Sequence, residues 1–285
     1  MEEPLTPSLV ALRCRTSDRS RAAARGAEEL ALLVGKRLGC EPRLIGTLGE
    51  PREAHFTEDL RESRGCLLEA GGQVDDALSG ENLPVLLAAE CSIALTTVPT
   101  ALAHRPDARV LWLDAHGDFN TPETTTSGYL GGMALAGACG RWDAGLGAGA
   151  VDVGRVALAG VRQLDPGERE ALERSAVTVI GASPVETLVA VKNALDGAPV
   201  YLHIDLDVLD PESFPARLPT PGGLLPEKLF DILEAVAGDC EIVGLEVTGF
   251  EAPEDELERQ AAASTALHVF EPLLDAIPEG AHVGH

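Results

Sequence analysis

Short apolar runs that do not alternate with polar residues recur along this chain, separated by longer amphipathic segments. Residues 85–89 read Val-Leu-Leu-Ala-Ala, and residues 110–113 read Val-Leu-Trp-Leu. A strand that is apolar on both faces has to be covered on both faces, which is the condition of a parallel sheet sandwiched between helices. The pattern predicts strands near residues 8–13, 42–47, 83–89, 109–114, 155–160, 176–180, 199–205 and 241–248. Helices are expected near residues 19–38, 57–79, 92–103, 166–175, 184–196, 226–237 and 256–275. Strand–helix units repeat with no linker and no internal sequence repeat. The expected architecture is therefore one domain over residues 1–285, an α/β fold in three α/β/α layers around a mostly parallel sheet of roughly eight strands. The glycine- and alanine-rich stretch 131–150 reads as a mobile surface excursion.

Two of the apolar runs end in acid. Residues 110–113 lead into Asp114-Ala115-His116-Gly117-Asp118, and residues 200–204 lead into Asp205-Leu206-Asp207. Residues two apart on an extended backbone point the same way, so Asp114, His116 and Asp118 share a face. Carboxylates at the end of a buried strand are costly to desolvate unless a cation compensates them. Ligands of parallel sheets bind beyond the carboxyl ends of the strands, where both motifs fall. Four carboxylates and one imidazole on two strand ends point to a pair of divalent ions. Hard oxygen ligands with a single histidine favour manganese or magnesium. Pro219-Thr220-Pro221-Gly222-Gly223 follows the second motif and reads as a rigid turn bordering that site.

Composition narrows the ligand. The formal charge of −24 repels nucleic acid and anionic membrane surfaces, which leaves a small molecule as the expected partner. No apolar run approaches the roughly 20 residues that span a bilayer, and Met1-Glu2-Glu3-Pro4 does not open a signal peptide. Six cysteines without a Cys-x-x-Cys spacing read as reduced, mostly buried thiols of a cytoplasmic protein.

The motifs Asp114 to Asn120 and Asp205 to Pro211 resemble those of the ureohydrolases, the arginase and agmatinase family of binuclear manganese enzymes. The similarity runs from about residue 83 to residue 274. It implies two Mn2+ ions. Asp114 and Asp205 would bridge them, Asp118 would bind the first, and His116 and Asp207 would bind the second. The remaining ligand of the first ion is a histidine in the family. The matching segment here reads Ala88-Ala89-Glu90-Cys91-Ser92, which puts Cys91 in that place. A helix N-terminus and a divalent cation both favour a thiolate there, and sulfur would admit zinc or iron more readily than imidazole does. The resemblance also implies an amino-acid substrate gripped by Asn120, Thr125, Ser127 and Asp165. Asp114, Asp118 and Asp205 would carry the catalytic step, with Asp118 as proton carrier.

Two departures from the family pattern bear on the substrate. Where the family has a proton-shuttling histidine, the segment Ser127-Gly128-Tyr129-Leu130-Gly131-Gly132 places Gly131. Where it has a glutamate against the guanidinium, the alignment places Gly249, with Glu246 and Glu251 as alternative carboxylates. Both losses suit a substrate less cationic than arginine. Together with Cys91 they resemble the hydrolases that cleave N-hydroxy-L-arginine to hydroxyurea and ornithine. Arginase, formiminoglutamase or other guanidino-acid hydrolase activity, and a non-catalytic metal-binding role, remain as alternatives. Monomer and homo-oligomer are both open.

Overall fold

The structure, a computed structural model, describes residues 6–277. Eight strands form a single sheet: β1 (Thr6–Leu12), β2 (Arg43–Ile45), β3 (Asn82–Leu87), β4 (Arg109–Leu113), β5 (Val156–Val161), β6 (Thr178–Gly181), β7 (Val200–Asp205) and β8 (Ile242–Thr248). Their order is β2-β1-β3-β8-β7-β4-β5-β6, and every pairing is parallel. The helices are α1 (Arg21–Leu38), α2 (Phe56–Ser79), α3 (Ala94–His104), α4 (Ala134–Ala138), α5 (Pro166–Glu173), α6 (Pro184–Leu195), α7 (Pro226–Asp239) and α8 (Glu256–Asp275). The three-layer α/β/α expectation holds.

Strand residues divide by parity between two cores. Leu9, Ala11, Leu111, Leu113, Leu202 and Ile204 face the layer of α1, α6, α7 and α8. Val10, Leu12, Val110, Trp112 and Tyr201 face the layer of α2, α3, α4 and α5. Burial on both faces is why these strands carry almost no polar residue until their carboxyl ends. Strands β3, β8, β7 and β4 are consecutive at the sheet centre, so the loops after β3, β4 and β7 meet over one point.

Two expectations need correction. The segment 131–150 is not wholly a surface excursion, because α4 lies within it with Ala134, Leu135, Ala136 and Ala138 buried. Its small residues permit that burial: a Cβ on Gly137 would stand 2.3 Å from Leu95 Cδ2 of α3. Nor are all the thiols reduced. Cys14 and Cys66 form a disulfide with their Cα atoms 6.1 Å apart, tying the end of β1 to α2. Because 52 residues separate the two in sequence, no short spacing announced the bond. No helix among the described residues is long and apolar enough to cross a membrane.

The disulfide closes a long loop, and its removal raises the entropy of the unfolded chain. Cys14→Ser should cost up to about 4 kcal/mol, read as a lowered midpoint in denaturant titration, and reductant should shift the native protein in the same direction. Identical midpoints with and without reductant would show that the bond does not form in solution.

Candidate metal centre and substrate cavity

A cavity of about 420 Å³ opens at the carboxyl end of the sheet. Its walls include Cys91 after β3, Asp114, His116 and Asp118 after β4, and Asp205 and Asp207 at the end of β7. All six expected metal ligands therefore come together. Backbone N–H groups fix their orientation. His116 N donates to Asp114 Oδ1 at 2.6 Å, Ala115 N to Asp207 Oδ1 at 3.0 Å, and Asp207 N to Asp205 Oδ1 at 2.8 Å. The Trp112 indole donates to Asp114 Oδ2 at 3.1 Å.

His116 Nδ1 lies 2.9 Å from Asp207 Oδ2 and 3.4 Å from Asp114 Oδ1. These three residues form one compact ligand cluster. Burial works to lower the His116 pKa, but hydrogen bonds to Asp114 and Asp207 and their charges outweigh it and push it up to about 12. Burial drives Asp207 and Asp118 well above the carboxylate range, and neighbouring aspartates add to the effect. Asp118 Oδ2 is buried without a hydrogen-bond partner. Cys91 Sγ donates to Asp205 Oδ2 at 2.9 Å and lies 3.2 Å from Thr248 Oγ1. Burial and the charge of Asp205 push its pKa well up. A helix N-terminus alone therefore does not produce the thiolate; a cation is needed. Protons thus stand in for metal at Cys91, His116, Asp118 and Asp207, and the donor set, with its orphaned Asp118 oxygen, fits two divalent ions.

The rest of the cavity is polar. Asn120 Nδ2 and Thr126 Oγ1 both donate to Asp165 Oδ2 at 3.2 Å. Ser127 and Thr126 line the wall, whereas the Thr125 hydroxyl accepts from Gly128 N and braces the turn. Glu168 accepts from Phe119 N at 2.8 Å and Asp165 N at 3.2 Å, and burial raises its pKa to about 7. Arg162 donates to the carbonyls of Asp207, Leu209 and Thr220, holding the 219–223 turn beside His116.

These residues match a known family. Residues 50–274 fit the arginase family model. The chain belongs to the arginase family. It is 37% identical over 268 residues to the N(omega)-hydroxy-L-arginine amidinohydrolase of Streptomyces lavendulae, covering 94% of this chain and 97% of that one. It is also 31% identical over 214 residues to the arginase of Bacillus caldovelox, covering 68% of this chain and 70% of that enzyme. In fold, the arginase of Bacillus cereus superposes with a TM-score of 0.81 at 24% identity, over 95% of this chain and 98% of that one. This arginase-family protein is accordingly a hydrolase of guanidino C–N bonds, in a family of binuclear metal amidinohydrolases.

The acid expected opposite the guanidinium is not at position 249. Gly249 has φ +80°, and a Cβ there would stand 2.0 Å from Asp205 Oδ1, so the ligand itself excludes any side chain. Glu246 is fully buried and bonded to His203, Tyr201 and Thr97, while Glu251 accepts from Ser20. Neither lines the cavity. Glu90 does, with Tyr129 and Arg217, and sequence reasoning gave none of these three a site role. The signal was present for Glu90, which directly precedes Cys91.

Because His116 is protonated in the metal-free state, metal uptake through its imidazole has to expel that proton. Apparent metal affinity should rise by at least about tenfold per pH unit between about pH 6 and 8, more where Cys91 also loses its proton, with proton release visible by calorimetry in two buffers. A flat pH dependence would remove His116 from the ligand set.

Proposed function

We propose that this arginase-family hydrolase uses two Mn2+ ions to cleave N-hydroxy-L-arginine to hydroxyurea and ornithine. When bound, such a pair lowers the pKa of water and stabilises negative charge developing on the substrate. Asp114 and Asp205 would be shared by the two ions, with Cys91 and Asp118 holding the first and His116 and Asp207 the second. Asn120, Ser127 and Asp165, with Thr125 bracing their turn, hold the amino-acid end. Asp118, through whichever carboxylate oxygen the ion leaves free, would carry the proton to the departing amine.

The observation that carries the choice of substrate is the exchange at Tyr129 and Gly131. A Cβ on Gly131 would meet the Tyr129 ring at 2.6 Å from Cε1 and 2.9 Å from the hydroxyl. The phenol thus fills the volume in which a side chain at 131 would reach the substrate. Its hydroxyl donates to Glu90 Oε2, and Arg19 packs over its ring at 4.4 Å. Glu90 Oε1 is buried without a hydrogen-bond partner, and the nearest cation is Arg217 Nε at 3.5 Å. The Glu90 carboxyl in the cavity wall, beside Arg217, suits the extra O–H of a hydroxyguanidine. The high identity to an N(omega)-hydroxy-L-arginine amidinohydrolase over nearly the whole chain supports the same reading.

The test compares N-hydroxy-L-arginine with L-arginine on Mn-loaded protein, reading hydroxyurea, urea and metal content. Without a histidine at position 131 to act as general acid, arginine should be the poorer substrate by at least about 10²-fold in kcat/KM. Equal efficiencies would sink the reading. Burial raises the Glu90 pKa well above its ordinary value, so Glu90→Ala should lower kcat/KM for the hydroxylated substrate by about 2- to 10-fold, the worth of a hydrogen bond between neutral groups. Its effect on arginine should be much smaller.

A further inference from the structure

His203 is a fully buried histidine inside β7 that none of the roles above employs. Its place in the sheet is specific. In the parallel register Trp112 pairs with His203, and His203 with Glu246, so these three form one row across β4, β7 and β8. The next row toward the carboxyl end is Asp114, Asp205 and Thr248, two residues further along each strand and on the same face. His203 therefore sits directly beneath the bridging aspartates.

Its ring is held from two sides. Nδ1 lies 2.6 Å from Glu246 Oε1, and the indole of Trp112 stacks on the imidazole with centroids 3.6 Å apart. Glu246 is in turn held by Tyr201 and Thr97. With the Nδ1 proton donated to a carboxylate, the lone pair is left on Nε2, and Nε2 has no partner although it is buried. Ligand atoms of Cys91, Asp114 and His203 all lie within 4.8 Å of one another. A histidine whose far nitrogen is fixed by a carboxylate and whose near nitrogen is free among other donors has the arrangement of a metal-binding imidazole.

We propose that His203 Nε2 is a ligand of the first metal ion, joining Cys91, Asp114, Asp118 and Asp205. The first site would then draw its imidazole from β7 rather than from the loop after β3, where the smaller Cys91 leaves room for it. Glu246 and Trp112 are positioning residues for that ring. The inference rests on the binuclear reading above.

X-ray absorption at the zinc edge of zinc-loaded, full-length protein counts the imidazoles directly. Two per pair of ions are expected, from His116 and His203, with nitrogen near 2.0–2.1 Å and the Cys91 sulfur near 2.3 Å. His203→Ala should halve the imidazole count, keep the sulfur, and weaken the first ion by about 10-fold or more in metal titration, with imidazole in solution restoring it. If the alanine variant fails to fold, His203→Gln, which can keep the contact with Glu246, should give the same halved count. One imidazole per pair in the native protein, or a count unchanged in the variants, would overturn the assignment while leaving the binuclear reading intact. A protein that binds no metal would overturn both.

Discussion

Asp114, Asp118, Asp205 and Asp207 are all buried beyond the ends of two adjacent strands, and their mutual repulsion governs the rest of the site. Taking so many carboxylates out of water is tolerable only if each is neutralised. Without metal, protons do this, and burial accordingly raises Asp118, Asp205 and Asp207. Asp114 is the exception: burial pushes it up, but hydrogen bonds and the charge of His116 bring it below its ordinary value. The strand-end amides add partial positive charge and aim the oxygens inward. The ligand geometry is thus built by the backbone before any ion arrives, and a cation has to displace protons rather than reorganise side chains.

The parallel sheet makes this convergence possible. Cys91 follows β3 and the two acidic motifs follow β4 and β7, far apart in sequence yet gathered over the central strands. That much was legible. Apolar runs fixed on neither face marked the strands, and their abrupt acidic ends marked the site. The short helix α4 was not legible, since its alanines and glycines carry no amphipathic period and are buried for their small size. The Cys14–Cys66 bond depends on how the end of β1 and α2 lie together, which no local pattern encodes.

The residues that escaped sequence reasoning share a cause: each has meaning only beside a neighbour from another segment. Glu90 is an ordinary acid until Tyr129 satisfies one oxygen and Arg217 approaches the other. Position 249 looked like a lost glutamate, but the register sets Thr248 beside Asp205, and the turn that follows brings the Gly249 backbone against the Asp205 carboxylate. His203 had the most readable signal, lying two residues before Asp205 on the same strand face. A lone histidine within an apolar run reads first as a core residue, and only the cross-strand row with Trp112 and Glu246 distinguishes it.

Both departures near the cavity exchange volume between neighbours rather than simply delete a group. At one, the Tyr129 phenol occupies the space that a side chain at 131 would need. At the other, a compact thiol at 91 lies beside a large imidazole at 203. Protein interiors are packed too densely for one member of such a pair to change alone without leaving a void or a clash. Restoring a histidine at 131 would therefore displace the phenol that braces Glu90, and enlarging position 91 would crowd the buried ring on β7. On the proposed ligand assignment, sulfur would also make the two metal positions unequal. The Asp114, His116 and Asp207 cluster offers oxygen and one imidazole, as hard divalent ions prefer, whereas Cys91 softens the other position. The exchanges thus bind substrate and metal preference to packing, so that neither can be altered by a single substitution without affecting the fold around it.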